Sequence, residues 1–97
     1  MLRAAIKGPG NWGIRLIKAV QGQSRKIGFV TAVTRNPSGQ QDLADSFGLN
    51  LTSDYAGVLA DPAVDAIVLA TPHSQHAAEI IAAARAGKHV FVESLSR

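Results

Sequence analysis

Lys7-Gly8-Pro9-Gly10-Asn11-Trp12-Gly13 joins an apolar run, Leu2 to Ile6, to a run of helical spacing that begins at Ile14. Gly8, Gly10 and Gly13 follow the pattern Gly-x-Gly-x-x-Gly. A strand, a glycine turn and a helix in that order bring backbone N–H groups up to a bound phosphate. The positive helix end, worth roughly half a charge, comes with them. On this reading Gly8 and Pro9 make the turn, and Gly10 lets a pyrophosphate approach the backbone. Gly13 lets the helix pack close to the sheet, and Asn11 and Trp12 offer backbone N–H groups to the phosphates. Three glycines in a short window also occur in ordinary turns, so the surroundings decide what the stretch means.

Those surroundings alternate strand and helix along the chain. The first helix is expected over 11–21, with Ile14, Ile17 and Gln21 along one line and Gly22 to stop it. A β-rich stretch from Lys26 to Thr34 makes the second strand. Pro37, with Ser38 and Gln41 as a capping box, opens a second helix that buries Leu43 and Phe47 and closes at Gly48. A brief third strand, Leu49 to Thr52, and a short helix from Asp54 to Ala60 follow, stopped by Asp61-Pro62. Ala66-Ile67-Val68-Leu69-Ala70 is continuously apolar, as a central parallel strand must be. The last helix spans about Ser74 to Ala86. Ile80 and Ile81 are expected to fill its interface, and Ala77, Ala84 and Ala86 to allow close packing. Gly87 ends it, and His89 to Glu93 is the fifth strand.

This order predicts an α/β fold: a doubly wound, mostly parallel Rossmann sheet with strand order 3-2-1-4-5 and right-handed crossovers. The glycine turn then lies where the strand order reverses, the ligand crevice of such sheets. The 97 residues, 46% hydrophobic, are one domain with a real core.

Composition removes several classes of function. There is no cysteine, so neither disulfides nor a thiolate metal site hold the fold. The apolar part of the N-terminus is too short for a signal peptide. No stretch reaches the ~18 apolar residues of a membrane span, and a cytoplasmic location is expected. The net charge of +3 invites comparison with nucleic-acid binders. The basic residues are scattered, however, with no run longer than Arg25-Lys26, and one Trp, one Tyr and three Phe make no stacking platform. A modest positive balance suits a phosphate-rich small ligand instead. Lys7, a charge at the end of an apolar strand, is expected to reach solvent, with a role as counter-charge to the phosphates as the sharper reading. His73 and His76 stand three apart without a third ligand near in sequence, so no metal site is expected.

The end of the second strand bears on the dinucleotide. An NAD site places an Asp or Glu there for the ribose 2′-hydroxyl. Here the residues are Thr34-Arg35-Asn36, and no carboxylate occurs before Asp42. A carboxylate repels a 2′-phosphate, whereas Arg35 pairs with it bidentately and lays its planar guanidinium on the adenine. NADP is therefore expected over NAD.

Four stretches carry a resemblance to a known family: Gly8 to Gly13; Thr34-Arg35-Asn36-Pro37; Asp61 to Pro72 followed by His76; and Ala86-Gly87-Lys88-His89-Val90-Phe91-Val92-Glu93. Together they resemble the nucleotide-binding domain of the glucose-fructose oxidoreductase, inositol dehydrogenase and rhizopine-catabolism (Gfo/Idh/MocA) oxidoreductases. The resemblance implies sugar- or polyol-type substrates. It also implies that Thr71 and Pro72 line the cofactor on the nicotinamide side, with His76 at the start of the next helix and Glu93 at the end of the last strand. Members typically continue this strand as Glu-Lys-Pro, with a catalytic lysine, and then add a substrate domain. This chain reads Glu93-Ser94-Leu95, and it is expected to lack the substrate domain. A serine hydroxyl neither carries the charge nor titrates near neutrality. The expectation is therefore a truncated NADP(H)-binding domain with no catalytic residue of its own and no catalysis alone. The alternative is a stand-alone NADP(H)-binding or interaction module. The fifth strand, an apolar edge of Val90, Phe91 and Val92, is expected to be covered in a homodimer or larger assembly.

Overall fold

The computed structural model describes residues 2–8, 15, 17–18, 26–35, 41–70 and 73–92. Five strands, β1 (Leu2–Lys7), β2 (Ile27–Val33), β3 (Asn50–Thr52), β4 (Ala66–Leu69) and β5 (His89–Val92), form one sheet in the order β3-β2-β1-β4-β5. Every pairing is parallel, as expected for this order. The described helices are α1 (Gln41–Phe47), α2 (Tyr55–Leu59) and α3 (His73–Arg85). Arg15, Ile17 and Lys18 are helical as well, within the stretch expected as the first helix. The Pro37–Ser38 capping box lies outside the described residues, and so does the side chain of Leu43.

Alternation along the strands divides the core between two sides of the sheet. Ala4 and Ile6 of β1 and Ala66 and Val68 of β4 join Ile17, Phe29, Ala32, Ala44 and Leu49 on one side. Ala5, Val33, Ile67 and Leu69 join Val58, Val64 and Ala83 on the other, with Tyr55, Leu59 and Ile80 packed against them. Helices on both faces are what allow β4 to be buried along its whole length. The register of β1 on β2 slips between Ala4 and Ala5, whose partners are Phe29 and Thr31. That leaves Val30 unmatched and directs it toward the second side.

Local chemistry sets the element ends. Asp54 caps α2 by accepting the Gly57 N–H at 3.0 Å. Helix α3 stops in a Schellman turn: the Gly87 N–H donates to the Ala84 carbonyl and the Lys88 N–H to the Ala83 carbonyl. Gly87 sits at φ 78°, a conformation in which a Cβ is strained. Near the amino ends of the strands, Asp65 clasps Arg3. Its N–H donates to the Arg3 carbonyl, and its carboxylate accepts the Arg3 N–H at 2.9 Å. That backbone hydrogen bond, helped by the nearby Arg3 guanidinium, holds the Asp65 carboxyl below its usual range despite some desolvation.

Helix α3 meets the sheet differently from the alanine pattern expected of it. Ala83, Glu79 and half-buried Ile80 form its inner face, whereas Ala77, Ala84 and Ala86 are exposed and Ile81 is 52% exposed. At 100° per residue, Ile81 cannot share a face with both Ile80 and Ala83. One isoleucine fills the interface and the other faces outward.

Candidate functional site

The carboxyl ends of β2, β1 and β4 lie side by side and are knitted together by backbone hydrogen bonds. The Gly8 N–H donates to the Val33 carbonyl and the Ala70 N–H to the Lys7 carbonyl, each at 2.9 Å. The Thr34 N–H donates to the Thr52 carbonyl at the same distance, extending the row to β3. Strand order reverses at β1, with the chain passing to β2 on one side and β4 on the other, so this edge is the topological switch point.

Gly8 follows β1 with φ 81°, in the left-handed region that a side chain strains. Thr34, half-buried, directly follows β2, and Arg35 comes next in a bend with its side chain exposed. Gly8, Thr34 and Arg35 thus come together at one edge. Pro9, Gly10, Asn11, Trp12, Gly13, Thr71, Pro72 and Glu93 lie outside the described residues. The backbone of His76 belongs to the first turn of α3, and its side chain is not described. Among the described residues no three His, Cys, Asp or Glu side chains gather as a metal site, and no helix is long and apolar enough to cross a membrane.

Lys7 does not reach out into solvent as the sequence reading expected. Its ammonium lies 2.5 Å from the Glu79 carboxylate and 5.3 Å from the centre of the Tyr55 ring. Burial of both side chains, 22% exposed for Lys7 and 9% for Glu79, puts the pair on the α2–α3 side of the sheet. The Tyr55 hydroxyl donates to the Glu79 carbonyl at 3.0 Å. Its phenol is pushed up to about 12, first by burial and then by the charge of Glu79, and so stays protonated at neutral pH. Lys7 is therefore already paired, and its charge is not free for the phosphates as a counter-charge. The signal in the sequence was an acid on what proves to be the inner face of α3, four residues before the buried Ala83.

Residues 2–94 match a family described as "Oxidoreductase family, NAD-binding Rossmann fold" (GFO_IDH_MocA). A curated relative, scyllo-inositol 2-dehydrogenase (NAD(+)) of Bacillus subtilis, is 53% identical over 54 residues, which are 55% of this chain and 16% of that protein. The structure of scyllo-inositol dehydrogenase from Lactobacillus casei with bound NAD(H) and scyllo-inositol superposes with TM-score 0.86 at 22% identity, over 95% of this chain and 27% of that one. At that identity the likeness is one of fold. Biliverdin reductase from Synechocystis sp. PCC 6803, in complex with biliverdin and NADP+, superposes with TM-score 0.82 at 28% identity, over 94% and 28%. The chain spans less than a third of the length of these relatives.

Proposed function

This chain belongs to the Gfo/Idh/MocA oxidoreductase family, whose matching part is an NAD-binding Rossmann fold, and we propose that it holds NADP(H) across the switch point at the end of β1. The observation that carries the reading is Arg35: an exposed guanidinium directly after β2, beside the Gly8 turn, in a segment with no carboxylate before Asp42. The described part of the site suits a dinucleotide. Gly8 adopts a left-handed conformation at the edge where three strand ends meet, and the exposed Arg35 at the same edge supplies a cation of the kind that pairs with a 2′-phosphate. In this arrangement the turn from Gly8 to Gly13 seats the pyrophosphate. Thr34 and Arg35 hold the adenosine end, and Thr71, Pro72, His76 and Glu93 border the nicotinamide. The nicotinamide supplies hydride chemistry when bound. With Ser94 in place of the family's lysine, that position supplies neither a charge nor a proton near neutrality, and the chain is expected to bind cofactor without turning over sugars or polyols by itself.

Titration of wild type and Arg35→Ala with NADPH and NADH tests the cofactor preference. The substitution is expected to weaken NADPH binding by about 2 kcal/mol, near thirtyfold, the scale of a charge-assisted bidentate contact, and to leave NADH nearly unchanged. An unchanged NADPH affinity sinks the assignment.

A second reading rests on the opposite edge of the sheet. Phe91 and Val92 of β5 are 44% and 41% exposed, and Ile81 of α3 adds a further apolar side chain. Edge strands with exposed apolar side chains are pairing surfaces. We propose that β5 is covered by a second copy of the chain in a homodimer or larger assembly. Light scattering at high protein concentration is expected to give a mass of at least twice 10.2 kDa, and a monomeric mass contradicts the proposal.

A further inference from the structure

Lys7 is the residue from which the glycine turn departs, and every part of it is tied down. Its carbonyl accepts from Ala70 at the end of β4, and the next N–H, of Gly8, donates to Val33 at the end of β2. Its ammonium pairs with Glu79 of α3 and lies over the ring of Tyr55 of α2, whose hydroxyl reaches back to the Glu79 carbonyl. Residues from three elements thus close a ring at Lys7, the residue before Gly8. Apolar contacts between a helix and a sheet tolerate sliding, because one methyl replaces another at little cost. A buried ion pair does not, since moving either partner leaves a desolvated charge. Glu79 stands six residues after His73, about 9 Å along the helix axis, and one turn after His76. Fixing Glu79 on Lys7 therefore fixes how far the backbone of the first turn of α3 stands from Gly8.

We propose that Lys7, Glu79 and Tyr55 form a positioning latch that sets the spacing between Gly8 and the backbone of the amino-terminal turn of α3, so that one dinucleotide reaches both. This rests on the reading above that the glycine turn seats a dinucleotide. Lys7 and Glu79 act on the ligand through the backbone they hold. Their loss affects a ligand that spans both turns and spares one that occupies only the adenosine end.

The test compares NADPH with 2′,5′-ADP, which carries the adenosine and 2′-phosphate alone, on Glu79→Gln, Lys7→Arg and Tyr55→Phe. Glu79→Gln keeps the shape and removes the charge. It is expected to raise the Kd for NADPH about tenfold while the Kd for 2′,5′-ADP stays within about twofold. Lys7→Arg, which retains the charge and stacks on Tyr55, is expected to hold NADPH affinity within about threefold of wild type. Should Glu79→Gln fail to fold, Tyr55→Phe, which deletes one hydroxyl, carries the same comparison with a smaller loss confined to NADPH. Equal losses for both ligands in a folded variant, or no loss for either, overturn the latch. Wild-type protein that binds 2′,5′-ADP and NADPH normally while the variants show no difference refutes the latch alone. Wild-type protein that binds neither NADPH nor NADH overturns the dinucleotide reading and the latch with it.

Discussion

Ile67→Ala is expected to destabilise the domain by about 2–5 kcal/mol, the range for large-to-small substitution at a fully enclosed site. Ile67 lies on β4 between β1 and β5, has no exposed surface, and packs with Ala5, Leu69, Val64 and Ala83 beneath α3. Its neighbours belong to a sheet paired on both sides, so they cannot collapse into the space it leaves. A domain of this size has about 5–15 kcal/mol of stability in all, so the loss is a large share. Thermal unfolding followed by circular dichroism should show a midpoint lowered by roughly 8 °C or more. Ile81→Ala provides the contrast: the same deletion at a 52% exposed position should stay within about 0.5 kcal/mol of wild type. Equal effects at the two positions would contradict the assignment of faces on α3.

Gly8→Val is expected to abolish most dinucleotide affinity while leaving the sheet formed. Gly8 holds φ 81° at the end of β1, and a β-branched residue is a genuine outlier there. Forcing valine into that conformation costs on the order of 1–3 kcal/mol. Relief of that strain is expected to re-route the backbone after Gly8, the segment proposed to hold the phosphates. The expected result is a rise of roughly ten- to a hundredfold in the Kd for NADPH. Far-UV circular dichroism should remain that of the wild type. Retention of wild-type affinity would show that the turn conformation is immaterial to binding.

The sheet was legible because parallel strands buried on both faces leave a plain mark. Ala66 to Leu69 is apolar without interruption, and all four residues are buried in the structure. Strand order followed from the alternation of elements, since right-handed crossovers leave few arrangements. Elements were legible through their ends, as with Asp61-Pro62 beyond α2 and Gly87 beyond α3, whereas the cap that Asp54 makes is seen only in the structure. The faces of α3 were harder. A helix rich in alanine and isoleucine offers several apolar stripes, and the choice among them depends on where the buried Glu79 must lie. That position follows from Lys7, 72 residues earlier in the chain, and no local pattern carries such a pairing. The same gap separates the places that the strand-end position of Lys7 suggests, solvent or phosphate, from its observed place against Glu79 and Tyr55. Of the candidate site, Gly8, Thr34 and Arg35 were found where the glycine spacing and the end of β2 put them, at one edge of the sheet.

Dinucleotide binding at that edge is the central property proposed for this chain. Titration of the wild-type chain with NADPH, followed by nicotinamide fluorescence, measures this directly. Saturable binding, stronger for NADPH than for NADH, is the predicted result. A fluorescence signal unchanged by the protein for both nucleotides, with calorimetry showing no heat of binding, would contradict it.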